Sequence, residues 1–230
     1  MSYSISTLLV WRYFDNQCDC PLCKIKNKIE SDLINLYLNE AVMEDDERHL
    51  VNKYGFCKDH FDLLYSGANK LGLALQMKTR LYTINKEITL IKDVKTAKKT
   101  ALKLQEKLST CLICARIDGN MDRYYKTICQ MYNNEEKFRN AFKEINGLCL
   151  NHYASLLEYS NNAKGYSQEF LSIIYEKTKN YAENLYQHLD DFTFAFDYRS
   201  AKKPDKTATE SLRKSRYFFY GEPPTPPTIK

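Results

Sequence analysis

Six cysteines and two histidines stand at spacings that suit metal coordination. Cys20-Pro21-Leu22-Cys23 is followed by Gly55-Phe56-Cys57-Lys58-Asp59-His60, and the order returns as Cys111-Leu112-Ile113-Cys114 and then Gly147-Leu148-Cys149-Leu150-Asn151-His152. Each copy is a C-x2-C knuckle, a spacer of 33 or 34 residues, and a C-x2-H pair. A borderline-soft divalent ion such as zinc takes four thiolate or imidazole ligands at tetrahedral corners, and two close pairs supply them with little chain strain. The expected ligands are Cys20, Cys23, Cys57 and His60 in the first repeat and Cys111, Cys114, Cys149 and His152 in the second, with one Zn2+ for each repeat. Placed on the first turn of a helix, the C-x2-H pair would meet free backbone N–H groups and a dipole that favours thiolate. Gly55 and Gly147 would supply the turn before it. Three thiolates and a neutral imidazole around a dication leave one negative charge, which Lys24, Lys58 and Arg116 are close enough in sequence to offset. With four protein ligands no corner stays open for water or substrate, so both sites read as structural.

Two other readings of the same residues exist. They could be buried reduced thiols with two core histidines, or a thiol redox pair, since Cys20-Pro21-Leu22-Cys23 has a C-P-x-C form; no βαβ pattern surrounds it. Cys18 lies beside the first knuckle but corresponds to Ser109 in the repeat, and is expected to be a spare thiol. Cys129 falls in an aromatic stripe and is expected in the core, while His49 and His188 have no matched partners and read as surface or packing residues.

No phosphate loop, nucleophile elbow, H-E-x-x-H helix or Walker sequence occurs, so no catalytic residue is assigned and no small-molecule substrate is evident. Asp190-Asp191 reads as a cap or solvated turn.

The elements that must hold the ligands are helical. Ile25, Ile29, Leu33, Ile34, Tyr37, Leu38 and Ala41 recur at steps of three and four, and adding 91 carries Leu33, Ile34, Tyr37, Leu38 and Ala41 onto Tyr124, Tyr125, Ile128, Cys129 and Tyr132. The buried stripe is therefore duplicated with the ligands. Asp45 or Asp46 is expected to cap a short helix ending at Gly55. Leu71 to Leu108 reads as one long connecting helix with Leu81, Ile84, Ile88, Ile91 and Val94 or Lys95 near a heptad rhythm. Further helices are expected from Tyr166 to about His188 and from Thr209 to Tyr220, with Phe192, Phe194, Phe196 and Tyr198 packing back.

The expected fold is all-α, with two tandem repeats, each carrying a Cys3His zinc-type site, joined by a long central helix. The expected divisions are an N-terminal helix over 1–15, repeats over 16–108 and 109–221, and a disordered Pro-rich tail over 222–230. Seven glycines and six prolines in 230 residues leave room for long helices. A net charge of +5 permits an acidic or nucleic-acid partner without requiring one. Lys92, Lys95, Lys98, Lys99 and Lys103 are the candidate nucleic-acid contacts, and Arg199, Lys202, Lys203, Lys206, Arg213, Lys214 and Arg216 could extend them. With no long apolar run and no secretory signal, no membrane role and a cytoplasmic location are expected. In a reducing compartment eight cysteines argue for metal over disulfides. The Lys-, Asn-, Ile- and Tyr-rich composition fits a bacterial source.

The ordered set CPLC, YGFCKDH, LGLAL, CLIC, NGLCLNH and FDYR resembles a bacterial family known as domain of unknown function 6062, over about Cys18 to Gly221. The resemblance implies the ligand role for the eight residues named above but no activity. The expected function is a zinc-binding, non-enzymatic module for a protein or nucleic-acid partner. The alternative is a thiol-based redox or metal-responsive protein using the same cysteines.

Overall fold

Sparse helix breakers have the expected result: the computed structural model is all-α, with no strand among the described residues, which are 5–15, 18–197 and 203–224. The helices are α1 (Ile5–Phe14), α2 (Pro21–Leu38), α3 (Asp45–Tyr54), α4 (Lys58–Ser66), α5 (Lys70–Glu87) and α6 (Val94–Leu108). They continue as α7 (Leu112–Asn134), α8 (Glu136–Lys143), α9 (Leu150–Tyr159), α10 (Ser167–Phe194) and α11 (Lys206–Tyr220). Short 3-10 turns occupy Glu40–Val42 and Ser160–Tyr166.

The single connecting helix expected over Leu71–Leu108 is two helices. α5 stops at Glu87, where the run Ile88-Thr89-Leu90-Ile91 is poor in helix propensity, and Asp93 starts α6 by accepting a hydrogen bond from the Thr96 backbone N–H at 2.8 Å. The periodicity is right, but it does not register a cap that restarts the helix. Glu44, not Asp45 or Asp46, is the N-cap of α3. α10 runs on past His188 to Phe194, and the rings of Phe192 and Phe196 pair at 5.1 Å. Tyr198, Arg199 and Lys202 lie outside the described residues. Of the tail expected over 222–230, residues 225–230 lie outside the described residues; before them Lys24 Nζ reaches Glu222 Oε1 at 2.6 Å and Asn27 Nδ2 donates to the Pro223 carbonyl at 3.0 Å.

The chain divides into two compact units whose boundaries cut through α2 and α7. One gathers the described residues up to Asn27 with those of Met121–Pro223; the other is Lys28–Asn120. The first has an aromatic core in which α1 packs on α8, with Trp11 against Phe138 at 5.3 Å and Phe14 against Phe142 at 5.3 Å, and Tyr132 and Phe170 close behind. Cys129 is fully buried there, as expected. The second unit buries Tyr37, Ala41, Val51, Leu64 and Leu73. In it the Arg80 guanidinium caps the end of α3, donating to the carbonyls of Val51 at 3.2 Å and Asn52 at 2.9 Å. No helix among the described residues is long and apolar enough to cross a membrane.

Candidate metal centres

The C-x2-H pairs sit where helix physics favours thiolate. Cys57 is the N-cap of α4 and Cys149 that of α9, which sets His60 and His152 on the first turns. The two glycines before them act differently. Gly55 takes φ 65° against the Arg80 guanidinium, whereas Gly147 is needed for space: a Cβ there would lie 2.6 Å from the Tyr181 side chain.

All eight expected ligands gather into two groups of four, but not the groups the repeat implies. Cys20 and Cys23 meet Cys149 and His152; Cys57 and His60 meet Cys111 and Cys114. Each knuckle closes on the C-x2-H pair of the other copy, which corrects the expectation of one site within each repeat. The stiffness of α2 gives the reason. Its 18 residues are one continuous helix about 27 Å long, so Glu30, seven residues after Cys23, is held about 10 Å farther along it. His60 accordingly pairs with Glu30, two turns along α2 from Cys23. His152 in the same way lies against the ring of Tyr125, three turns along α7 from Cys114, at a centroid distance of 6.2 Å. Two hydrogen bonds seat the second knuckle beside the first C-x2-H turn: Leu112 N to the Gly55 carbonyl at 2.9 Å and Thr110 Oγ1 to the Tyr54 carbonyl at 2.7 Å.

In the first centre His152 Nδ1 is 3.5 Å from Cys20 Sγ, 3.4 Å from Cys23 Sγ and 3.1 Å from Cys149 Sγ, and the Cys23 and Cys149 sulfurs are 3.6 Å apart. In the second, His60 Nδ1 is 3.2 Å from Cys57 Sγ and 3.3 Å from both Cys111 Sγ and Cys114 Sγ, and the Cys57 and Cys114 sulfurs are 3.9 Å apart. One imidazole nitrogen, with a single N–H or lone pair, cannot serve three sulfurs. A tetrahedral ion can: with metal–sulfur bonds of about 2.3 Å and a metal–nitrogen bond of about 2.0 Å, neighbouring ligand atoms lie about 3.5–3.8 Å apart. The residues present therefore fit a four-coordinate metal ion.

The electrostatics of the bare ligands call for a cation. Burial pushes the Cys20 thiol up, and the hydrogen bond that Cys23 donates to Cys149 pushes Cys23 up to about 12, while hydrogen bonds from those two sulfurs draw Cys149 well below the usual thiol range. In the second centre burial opposes ionisation of Cys111, yet its hydrogen bond to His60 brings it down to about 6. Burial and the neighbouring Cys111 charge drive Cys114 up. Burial disfavours charge on His60, but hydrogen bonds to Cys111 and Glu30 outweigh it and raise the imidazole to about 10. A dication in each cluster would sustain the thiolates that burial opposes.

The surroundings of the two centres differ. His60 Nε2 meets Glu30 Oε1 at 3.0 Å, and Glu30 is 6% exposed with its other oxygen unpaired. This is the carboxylate–histidine arrangement that orients a metal-ligating imidazole. Its counterpart, 91 positions on, is Met121, which cannot play that part in the first centre. There Cys23 Sγ instead accepts from the Glu222 backbone N–H at 3.4 Å. The first centre is buried at all four ligands; in the second, Cys57 and Cys114 are half-buried. Sequence reasoning missed Glu30, whose only signal is an acid inside the apolar stripe of Ile25, Ile29 and Leu33. The cations expected to offset the centres have carboxylates of their own: Lys24 pairs with Glu222, Lys58 with Asp62 at 2.8 Å and Arg116 with Glu47 at 2.8 Å.

Cys18 stays outside both groups, its Sγ 3.9 Å from the Tyr13 carbonyl and its thiol pushed up to about 11 by burial. His49 is exposed, His188 half-buried, and neither joins a centre. Lys92, Lys95, Lys98, Lys99 and Lys103 are all exposed, on α6 and the segment before it.

The model of the family of unknown function DUF6062 matches residues 1–226. The chain belongs to that family. The chain is also similar to an uncharacterized 23.9 kDa protein in the xynA 3' region of Caldicellulosiruptor sp. (strain Rt8B.4). The two are 24% identical over 181 residues, covering 79% of this chain and 84% of the relative. No solved structure matches. Membership in DUF6062 carries no activity with it, so function rests on the centres themselves.

Proposed function

We propose that each cluster holds one zinc ion as a closed structural site, and that the chain is a non-enzymatic helical module for a protein or nucleic-acid partner. The observation that carries this is the placement of one imidazole nitrogen 3.1–3.5 Å from three sulfurs in both clusters. Four protein ligands complete a tetrahedron and leave no corner for a substrate. The cavity beside Cys20, Cys23 and Cys149 holds only about 10 Å³. Elemental analysis of untagged protein, with thiol counts before and after chelation, tests the reading. The expected result is two zinc ions per chain and six thiols masked until the metal is stripped; metal-free protein with every thiol reactive overturns it.

Glu30 should act on one centre alone. Glu30→Ala lowers zinc affinity at the second centre by about 10- to 100-fold and leaves the first unchanged. Competition with a chromophoric chelator then shows one of two release steps shifted; equal shifts in both steps would mean that Glu30 acts only through packing.

A second reading draws on the half-buried pair Cys57 and Cys114, with sulfurs 3.9 Å apart. Peroxide could oxidise both thiolates to a disulfide, itself being reduced to water, and so release the zinc they hold. Loss of one zinc under mild peroxide, with recovery after reduction, would favour this redox role.

A further inference from the structure

The segment from Ile88 to Leu108 carries chemistry that the metal centres do not use. In element order α6 precedes the second knuckle as α1 precedes the first. α1 buries Val10 and Phe14, whereas no residue of α6 is buried. Leu90, Val94, Leu102 and Leu108 are 85%, 73%, 68% and 78% exposed. An ion pair between Lys107 and Glu87 at 2.5 Å ties its far end to the end of α5. A 15-residue helix with no buried residue, and only Thr100, Leu104 and Lys107 half-buried, is marginal alone in water, and large exposed apolar patches mark interaction sites.

Val94, Ala97, Ala101, Leu104 and Leu108 follow one another at steps of three and four, the spacing of a coiled-coil seam. Lys98 and Lys107 flank that seam directly, with Lys95 and Lys103 one position further out. The acids nearby are Glu87, which already pairs with Lys107, Asp93, engaged as the cap of α6, and Glu106 on the far side, so the free border charges are those of Lys98, Lys95 and Lys103. Lys92, Lys95, Lys98, Lys99 and Lys103 have no ion-pair partner among the described residues.

This pattern discriminates between occupants. A second copy would set lysine against lysine. A nucleic acid would engage the lysines but leave the apolar seam in water. A membrane surface favours a broad face of bulky side chains, whereas this seam is narrow and has two alanines that admit a neighbouring helix closely. We propose that the seam of α6, with its lysine borders, is a docking strip for an acidic amphipathic helix of another protein. This rests on the reading of the chain as a binding module and names the class of partner.

The test uses the full-length zinc-loaded chain and a labelled peptide about three heptads long, with leucine at a and d and glutamate at e and g, followed by fluorescence anisotropy. The peptide binds, and Ala101→Glu or Leu104→Glu weakens it about tenfold or more by placing an unpaired charge in the seam. Lys98→Glu weakens it less, and added salt weakens it further. Ala101 is exposed, so Ala101→Glu keeps its zinc and melting midpoint; both are recorded on every sample, and for the half-buried Leu104 they separate lost docking from lost packing. Absence of binding, binding indifferent to the glutamate variants, preferential competition by duplex nucleic acid or anionic vesicles, or self-association in sedimentation would each overturn the proposal. Zinc retained without peptide binding counts against the strip alone; peptide binding without zinc counts against the zinc reading alone.

Discussion

Replacing Cys20 and Cys149 together by serine should leave about one zinc per chain, whereas replacing Cys20 and Cys57 together should leave almost none. The first pair removes two ligands from one centre and spares the other, because Cys149 and Cys20 belong to the same group of four. The second pair breaks both groups, since Cys57 sits with Cys111 and Cys114. Pairing within the repeats would give the opposite result, so metal content alone distinguishes the two arrangements. Cys129→Ser, outside both groups, is the control and should retain both ions. Folding should follow the metal. In the first variant the unit built on Lys28–Asn120 keeps its centre, while the unit that holds Cys23 and His152 loses helix content.

Removing both ions with an excess of a strong chelator at neutral pH should unfold most of the molecule. A structural zinc site contributes on the order of 10 kcal/mol of apparent binding free energy, and a domain's whole net stability is about 5–15 kcal/mol. The ligands also come from segments far apart in sequence, 126 residues for Cys23 and Cys149, so the ion closes long loops that packing alone must otherwise hold. Far-UV circular dichroism should show helix lost on chelation and restored by two equivalents of zinc. An unchanged melting midpoint would mean that the aromatic core around Phe138, Phe142 and Phe170 suffices. The second centre, with two half-buried cysteines, should be stripped before the fully buried first. Acid acts in the same direction, because each thiolate must give up the metal to take a proton, so stability is lost as pH falls.

The all-α class and the eight candidate ligands were legible in the sequence because both depend on local information. Helix periodicity, the scarcity of glycine and proline, and the C-x2-C and C-x2-H spacings all act within a few residues. The place of Cys57 and Cys149 at helix starts was legible for the same reason, since one glycine turn and one helix cap determine it. The partners of those residues were not legible. Within each copy the spacer is the same length to within one residue, and a spacing cannot say whether its chain doubles back or runs straight. The rigidity of α2 decides that: it holds His60 beside Glu30 rather than beside Cys23, and leaves each knuckle to be completed by the other copy. Glu30 likewise becomes meaningful only when α4 lays His60 against it. The break between α5 and α6 and the exposure of the α6 seam also belong to the tertiary structure. A heptad rhythm records that a face is apolar, and only packing shows whether the protein covers that face itself.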